Sequence, residues 1–457
     1  MKTYKVLIFC GVSLCLFWNA AYYSVPLIDW ILLIISIFFT YDYVKKFDLL
    51  RDLASAIVLL SLFLSVVFIA TFQMAGNKYT YNDYSLLAPF ANRLYFEFVF
   101  FSSLFLNLRR GKRQGGHKYK AVSLSEGKIK AIFIVTFLAL TIGFITGSLR
   151  MDSMWDVGRI VLPFHLNGII YVLAHVVAAR LFMVIVENQI LTKGKVKKND
   201  IIIMILLGLY GSFTSMSKGL MFYYIGLPML IMYIYYRPKF SVVLRYGAPV
   251  MLMLVLLFPI VGAMRSFKDT NMTVTEKIFS AQSLAGENTG EKAQYNNALE
   301  ATYNRAFMTG SYYMNAYHHL NQSNVFDFSR VPFIIFNGGG VAFIITHEVD
   351  GYPIDYPHNS GTTGVLDALF FGGYGFCYIM MFFIIALASI IDSPKLKNMM
   401  SIKIMLALLI FELLNSSVLE PLIITQYWIR LVGVGLAIYI AKKINFQNKY
   451  RKIVLKK

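Results

Sequence analysis

Apolar residues in this chain fall into runs of about twenty, broken by short charged turns. Runs of that length cross a hydrocarbon layer about 30 Å thick as helices. Twelve are read, at approximately 6–22, 27–44, 53–74, 86–107, 130–148, 159–187, 201–216, 219–236, 245–263, 363–391, 402–419 and 423–441. The seventh and eighth are joined by a turn around 216–218. A second apolar run follows the first within a few residues, so the first is expected to be a retained span and not a cleaved signal. The pattern predicts an all-α polytopic membrane protein with about 12 transmembrane helices. Nine lie in 1–263, a large hydrophilic loop follows at 264–362, three more helices occupy 363–441, and a basic tail runs over 442–457.

Composition agrees: 57% of the 457 residues are hydrophobic and 15% charged, against about 45–50% and about 25% in soluble domains. The net charge of +19 would suggest nucleic-acid binding in a soluble protein, so its distribution has to decide. Thirty of the 43 Lys and Arg residues fall in the N-terminus, the segments 45–51, 109–130, 193–198, 237–245 and 395–403, and the tail. Threading twelve spans puts all of these on one face. The positive-inside rule makes that face, and both termini, cytoplasmic. The excess charge is then an orientation signal and a contact for anionic lipid, and no nucleic-acid partner is expected.

The loop at 264–362 consequently lies outside the membrane. It carries six basic and nine acidic residues, Arg265, Arg305 and Arg330 among the former. Its 285–297 stretch is polar, whereas 297–320 reads as a helix with Leu299, Tyr303, Phe307 and Tyr312 near one face, suited to the membrane interface. The apolar run 331–347 is interrupted by Gly338 to Gly340 and reads as a re-entrant or cavity-lining segment.

Basic residues at outer helix ends go against the positive-inside trend. Arg150 and Arg159 flank the turn between spans five and six, Lys218 sits between seven and eight, and Arg265 closes the ninth. One reading is a pocket for an anionic lipid head, since the planar guanidinium fork matches phosphate. The other is snorkelling, or pairing of Arg150 and Arg159 with Asp152 and Asp156. His358 has a more particular setting, in PHNSGTTGVLDALFFGGYG (357–375), just before a helix whose expected N-cap is Thr362 or Thr363. Free N–H groups and the helix dipole there attract phosphate and disfavour imidazolium, which suits His358 as a general base.

Other ionisable residues have structural explanations. Arg93 and Glu97 are spaced for an intramembrane ion pair, Glu412 and Arg430 lie in adjacent spans, and Arg180 is expected to snorkel. His165 and His175 are ten residues apart, which is not metal-site spacing. Cys10, Cys15 and Cys377 all fall in apolar runs and are expected to fill the core. Neither a metal nor a cofactor is expected, and no exposed Asp-x-Asp pair suggests a soluble nucleotide-sugar donor.

Three segments carry a resemblance: LYGSFTSMSKGLMFYYIGLPML (209–230), FPIVGAMRSF (258–267) and HNSGTTGVLDALFFGGYGF (358–376). In these, and in overall architecture, the chain resembles Wzy-type polysaccharide polymerases, which are related to O-antigen ligases. It departs from some members in arginine-to-glycine spacing: eight residues separate Arg159 from Gly168 and nine separate Arg330 from Gly340. The resemblance implies a GT-C-like, metal-independent membrane glycosyltransferase in the bacterial cytoplasmic (inner) membrane. Its substrates would be undecaprenyl-diphosphate-linked glycans, joined into O antigen or capsule, and its partners a flippase and a chain-length regulator. On that reading His358, Arg265 and Arg159 are the expected catalytic residues, with Arg150, Lys218, Arg330 and Arg305 binding substrate. A ligase that moves finished polymer to a lipid acceptor, and a flippase or other transporter, are the alternatives.

Overall fold

The computed structural model describes residues 52–59, 124–149, 162–215, 218–236, 364–392, 400–415 and 432–440, with isolated positions between 27 and 61 and at 160. All the described secondary structure is helical. Among the described residues, three helices are long and apolar enough to cross a membrane: Glu126–Ile145, Leu166–Lys193 and Gly219–Tyr236. Spans one, four and nine, the 264–362 loop and the 442–457 tail lie outside the described residues.

The chain divides into two compact units. The second contains four consecutive helices: α1 (Glu126–Ile145), α2 (Leu166–Lys193), α3 (Lys198–Ser215) and α4, which runs without a break through Lys218–Met221, Phe222–Gly226 and Leu227–Tyr236. Helix α1 is apolar on every side and leaves Ile134, Val135, Phe137, Leu138 and Ile145 exposed, as expected of a helix facing lipid. Helix α2 is the central one, with every residue from Ala178 to Leu191 buried. A line of aromatic contacts ties α1 to α2 to α4. Phe133 and Phe182 pack edge to face at 5.5 Å, and Phe182 meets Tyr224 at 4.9 Å.

Both α2 and α4 widen into a π-helical stretch, at Leu173–Ala178 and Phe222–Gly226. The two stretches are joined by a hydrogen bond from the Tyr224 hydroxyl to the Ala174 carbonyl at 2.5 Å. The helical residues 432–440 also belong to this unit. A methyl group at Gly433 would stand 2.8 Å from Val172 Cγ1, so glycine is what lets this helix approach α2.

In the first unit, α5 (Gly364–Ile391) ends at Asp392. The Asp392 carboxylate accepts from Ala54 N (3.1 Å), Ser55 N (2.8 Å) and Ser55 Oγ (2.6 Å), capping the helical residues 53–59 from a distant part of the chain. Lys403, on α6 (Met400–Asn415), pairs with the same carboxylate at 3.0 Å.

Two expectations are revised. The sixth span was expected at 159–187 but the helix occupies 166–193. Ile160 and Leu162 are apolar yet belong to the preceding turn, and the polar run Glu187, Asn188, Gln189 continues the helix because each side chain finds helix-end partners. Arg180 was expected to snorkel, but it is 2% exposed. Its guanidinium donates to the Val176 carbonyl at 3.1 Å and lies 5.8 Å from the Tyr223 ring centroid.

Candidate functional site

One end of the second unit is built from the turn that leaves α1. The helix stops where Gly147 takes φ 68, a left-handed conformation natural to glycine. Thr146 N and Gly147 N then bond back to Ile142 O and Phe144 O, and Leu149 N reaches Gly143 O at 3.3 Å. Leu149 folds over Gly143 so closely that a methyl group there would come within 2.4 Å of Leu149 Cγ.

The chain returns at Ile160, whose N–H donates to Thr146 O at 3.1 Å. Pro163 opens a 3-10 turn, and Phe164 at φ 55 redirects the backbone into α2. The two sides of this turn are joined by one buried side chain, Asn167. Its amide nitrogen donates to Ser148 Oγ (2.6 Å) and Ile160 O (2.8 Å), while its Oδ1 accepts from Leu162 N (2.7 Å). Ser148 Oγ also meets Thr146 Oγ1 at 2.5 Å. Leu149 and Ile160, the residues that adjoin Arg150 and Arg159 in sequence, are therefore anchored at one place.

The turn between α3 and α4 reaches the same end. Helices α1 and α3 both start where Glu126 pairs with Lys193 and Lys197. Further along, Tyr210 on α3 stacks on Phe137 and hydrogen-bonds Thr141 at 3.0 Å. Beyond Tyr210, Thr214 and Ser215 turn their hydroxyls onto Gly211 O at 3.2 and 2.6 Å, so neither polar group is buried unsatisfied. A methyl at Gly211 would stand 3.2 Å from Leu220 Cδ1 and 3.3 Å from Leu140 Cδ2, which fixes how closely α1, α3 and α4 converge here. Helix α4 then begins at Lys218. Of the residues singled out from sequence, Lys218 has its backbone described; Arg150, Arg159, Arg265, Arg305, Arg330 and His358 lie outside the described residues. The helix expected after His358 is present, starting at Gly364.

The opposite end of the unit collects segments that the charge pattern puts on one face. Asn188 Oδ1 accepts from Leu124 N at 3.1 Å, and Gln189 holds Lys197 N at 2.8 Å while also bonding Asp200. Tyr236 OH reaches Gly194 O at 3.4 Å, where Gly194 at φ 72 caps α2. Bonding to Glu126 raises the Lys197 ammonium above its ordinary value, against a smaller opposing effect of burial. Glu187 accepts from Met400 N (2.6 Å), Ser401 N (2.9 Å), Ser401 Oγ (2.5 Å) and Tyr235 OH (2.5 Å), so a buried carboxylate satisfies Met400 and Ser401, which belong to this unit. Sequence reasoning missed Asn167, Glu187 and Asp392. Their signal was a polar residue inside or at the edge of an apolar run, which is costly unless it is fully hydrogen-bonded.

Among the described residues no group of three or more His, Cys, Asp or Glu side chains is placed to hold a metal ion. In comparisons with known proteins, no family model, curated protein or solved structure matches the chain.

Proposed function

We propose that the chain polymerises lipid-linked oligosaccharide repeat units at the outer face of a bacterial cytoplasmic membrane, as a twelve-span GT-C-like glycosyltransferase. The observation behind this reading is that the turn adjoining Arg150 and Arg159 and the start of α4 at Lys218 lie toward the same end of the second unit, where Gly211 stands between Leu140 and Leu220. Basic residues from separate turns at one depth suit a lipid diphosphate. The resemblance of 209–230, 258–267 and 358–376 to Wzy-type polymerases supplies the substrate class.

In this reading the growing glycan on undecaprenyl diphosphate is the donor and a single lipid-linked unit the acceptor. An acceptor hydroxyl attacks the donor anomeric carbon, forming the new glycosidic bond as the bond to the diphosphate oxygen breaks. His358 takes the hydroxyl proton, worth about 10² to 10⁴ in rate. Arg159 and Arg265 hold the diphosphate and stabilise the charge on the departing oxygen, with Arg150, Lys218, Arg305 and Arg330 supporting.

Glu187 itself is not a cation-carrying site. A carried cation would need carboxylate lone pairs, and four donors already occupy both Glu187 oxygens. Gel analysis of surface glycan in a deletion strain tests the proposal. Loss of a polymerase leaves single repeat units on the surface acceptor, loss of a ligase leaves none, and an unchanged long polymer rejects both.

A further inference from the structure

We infer that the seam between α1 and α3 binds one anionic phospholipid, with its phosphate among lysines at the end where both helices start and an acyl chain lying along the seam. The polymerase reading is not needed for this. Six lysines gather at that end: Lys128 and Lys130 from the start of α1, and Lys193, Lys195, Lys197 and Lys198 from the turn between α2 and α3. The pairing of Glu126 with Lys193 and Lys197 brings the two segments together. Glu126 and Asp200 are the acidic residues of 124–130 and 193–200, and both are already bonded, Asp200 to Gln189. Lys128, Lys130, Lys195 and Lys198 are left exposed, a cationic cluster that suits a phosphate head group.

From the lysines onward the seam is apolar and open. The side of α1 that meets α3 is fixed by Phe137 and Thr141, which both contact Tyr210. Lys130 and Ile134 precede them at helical spacing, and on α3 Asn199, Ile203 and Leu206 precede Tyr210 in the same way. Ile134 and Leu206 are each 59% exposed. The seam closes where Tyr210 stacks on Phe137 at 5.5 Å and its hydroxyl meets Thr141 Oγ1 at 3.0 Å. Phe137 lies eleven residues beyond Glu126, or about 16 Å along the helix axis. That is half of a hydrocarbon layer about 30 Å thick, so the open stretch matches the acyl chain of one leaflet. Lys130 reaches head-group level along its own aliphatic stem. A second copy of the chain on this seam would set one lysine cluster against another across a two-fold axis, whereas an anionic lipid neutralises the cluster.

The test reconstitutes the full chain in nanodiscs of equal phosphatidylcholine and phosphatidylglycerol, releases it into detergent and weighs it intact by native mass spectrometry. The parent should retain one phosphatidylglycerol in preference to phosphatidylcholine. A lysine near a lipid surface contributes about 5-fold, so Lys130→Gln should weaken retention by about that factor and Lys130→Gln/Lys198→Gln by roughly 10- to 30-fold. Lys128→Gln should leave retention unchanged, because residues two apart on a helix do not share a side. Leu206→Trp, which fills the seam and alters no charge, should lower it several-fold.

Equal retention of the two lipids by the parent would overturn the site. So would equal losses from Lys128→Gln and Lys130→Gln, which would reduce the lysines to diffuse attraction, and so would full retention by Leu206→Trp. A mass of two chains without lipid would assign the seam to a second copy instead. Melting supplies the second readout: the Tm of the detergent-purified parent should rise saturably with added phosphatidylglycerol, and that of Lys130→Gln/Lys198→Gln should rise less at every concentration. Parallel rises would contradict the proposal. None of these outcomes involves polymer formation, so they are decided apart from the polymerase reading.

Discussion

Ser401 donates both its backbone N–H (2.9 Å) and its hydroxyl (2.5 Å) to one oxygen of Glu187, 214 residues earlier in the chain. Met400 N and Tyr235 OH take the other oxygen. Glu187→Ala leaves these donors buried without an acceptor, at roughly 1–3 kcal/mol for each that finds no water. Thermal unfolding of the detergent-purified chain should show a Tm several degrees lower, with Glu187→Gln less affected because its amide oxygen still accepts. Equal melting of all three forms would show that these bonds contribute nothing.

Asp392 and Lys403 should respond unequally to removal. Lys403→Met leaves the Asp392 carboxylate its bonds to Ala54 N, Ser55 N and Ser55 Oγ. Asp392→Ala takes away the cap of residues 53–59 and also leaves the ammonium of Lys403, whose side chain is 6% exposed, without this carboxylate. Losing one partner of a buried pair costs about 3–5 kcal/mol, so Asp392→Ala should lower membrane abundance and Tm much more than Lys403→Met. Comparable melting temperatures for the two variants would contradict the assignment.

The contact between Glu126 and the 193–198 turn should depend on pH in a defined direction. Lys197 is raised from its ordinary value of 10.5, principally by its hydrogen bond to Glu126. A group with a raised folded value contributes stability that is fully present below its unfolded value and is lost as pH rises through the folded one. The Tm difference between the parent and Lys197→Met should thus persist at neutral pH and shrink at alkaline pH. It should also be small and fall with added salt, since both partners are exposed.

The roles assigned to His358 and Arg265 lead to graded losses. His358→Ala should slow polymer formation by about 10² to 10⁴ at parental membrane levels. Arg265→Lys should retain part of the activity that Arg265→Ala loses, because lysine keeps the charge without the bidentate fork. Gel profiles of the surface glycan in complemented deletion strains give both comparisons; indistinguishable long polymer from all three variants would remove these residues from the site.

Much of the described fold was readable from the apolar runs. Spans five, seven, eight, ten and eleven correspond to α1, α3, α4, α5 and α6, and even the narrow separation of α3 from α4 was read from the turn around 216–218. What hydropathy could not supply was the use of polar residues. Glu187, Asn188 and Gln189 read as the end of a span because a hydropathy pattern scores them as solvated. Their partners, Ser401, Leu124 N and Lys197 N, are distant in sequence or are backbone groups that sequence does not single out. Asn167 was passed over for the same reason. Its significance lies in the two sides of a turn it joins, which shows once Ser148 and Ile160 are placed beside it. The proposed arginine and histidine site was drawn from charge position along the spans, and those side chains lie outside the described residues.

The most direct measurement is reconstitution. The full chain, purified and placed in phospholipid nanodiscs, is given undecaprenyl-diphosphate-linked repeat units from the parent strain, with no nucleotide sugar or added metal. Polymerase activity predicts a ladder of products spaced by one repeat unit, with one undecaprenyl diphosphate released per bond formed. Repeat units recovered intact, with no lipid diphosphate released by the parental chain, would contradict it.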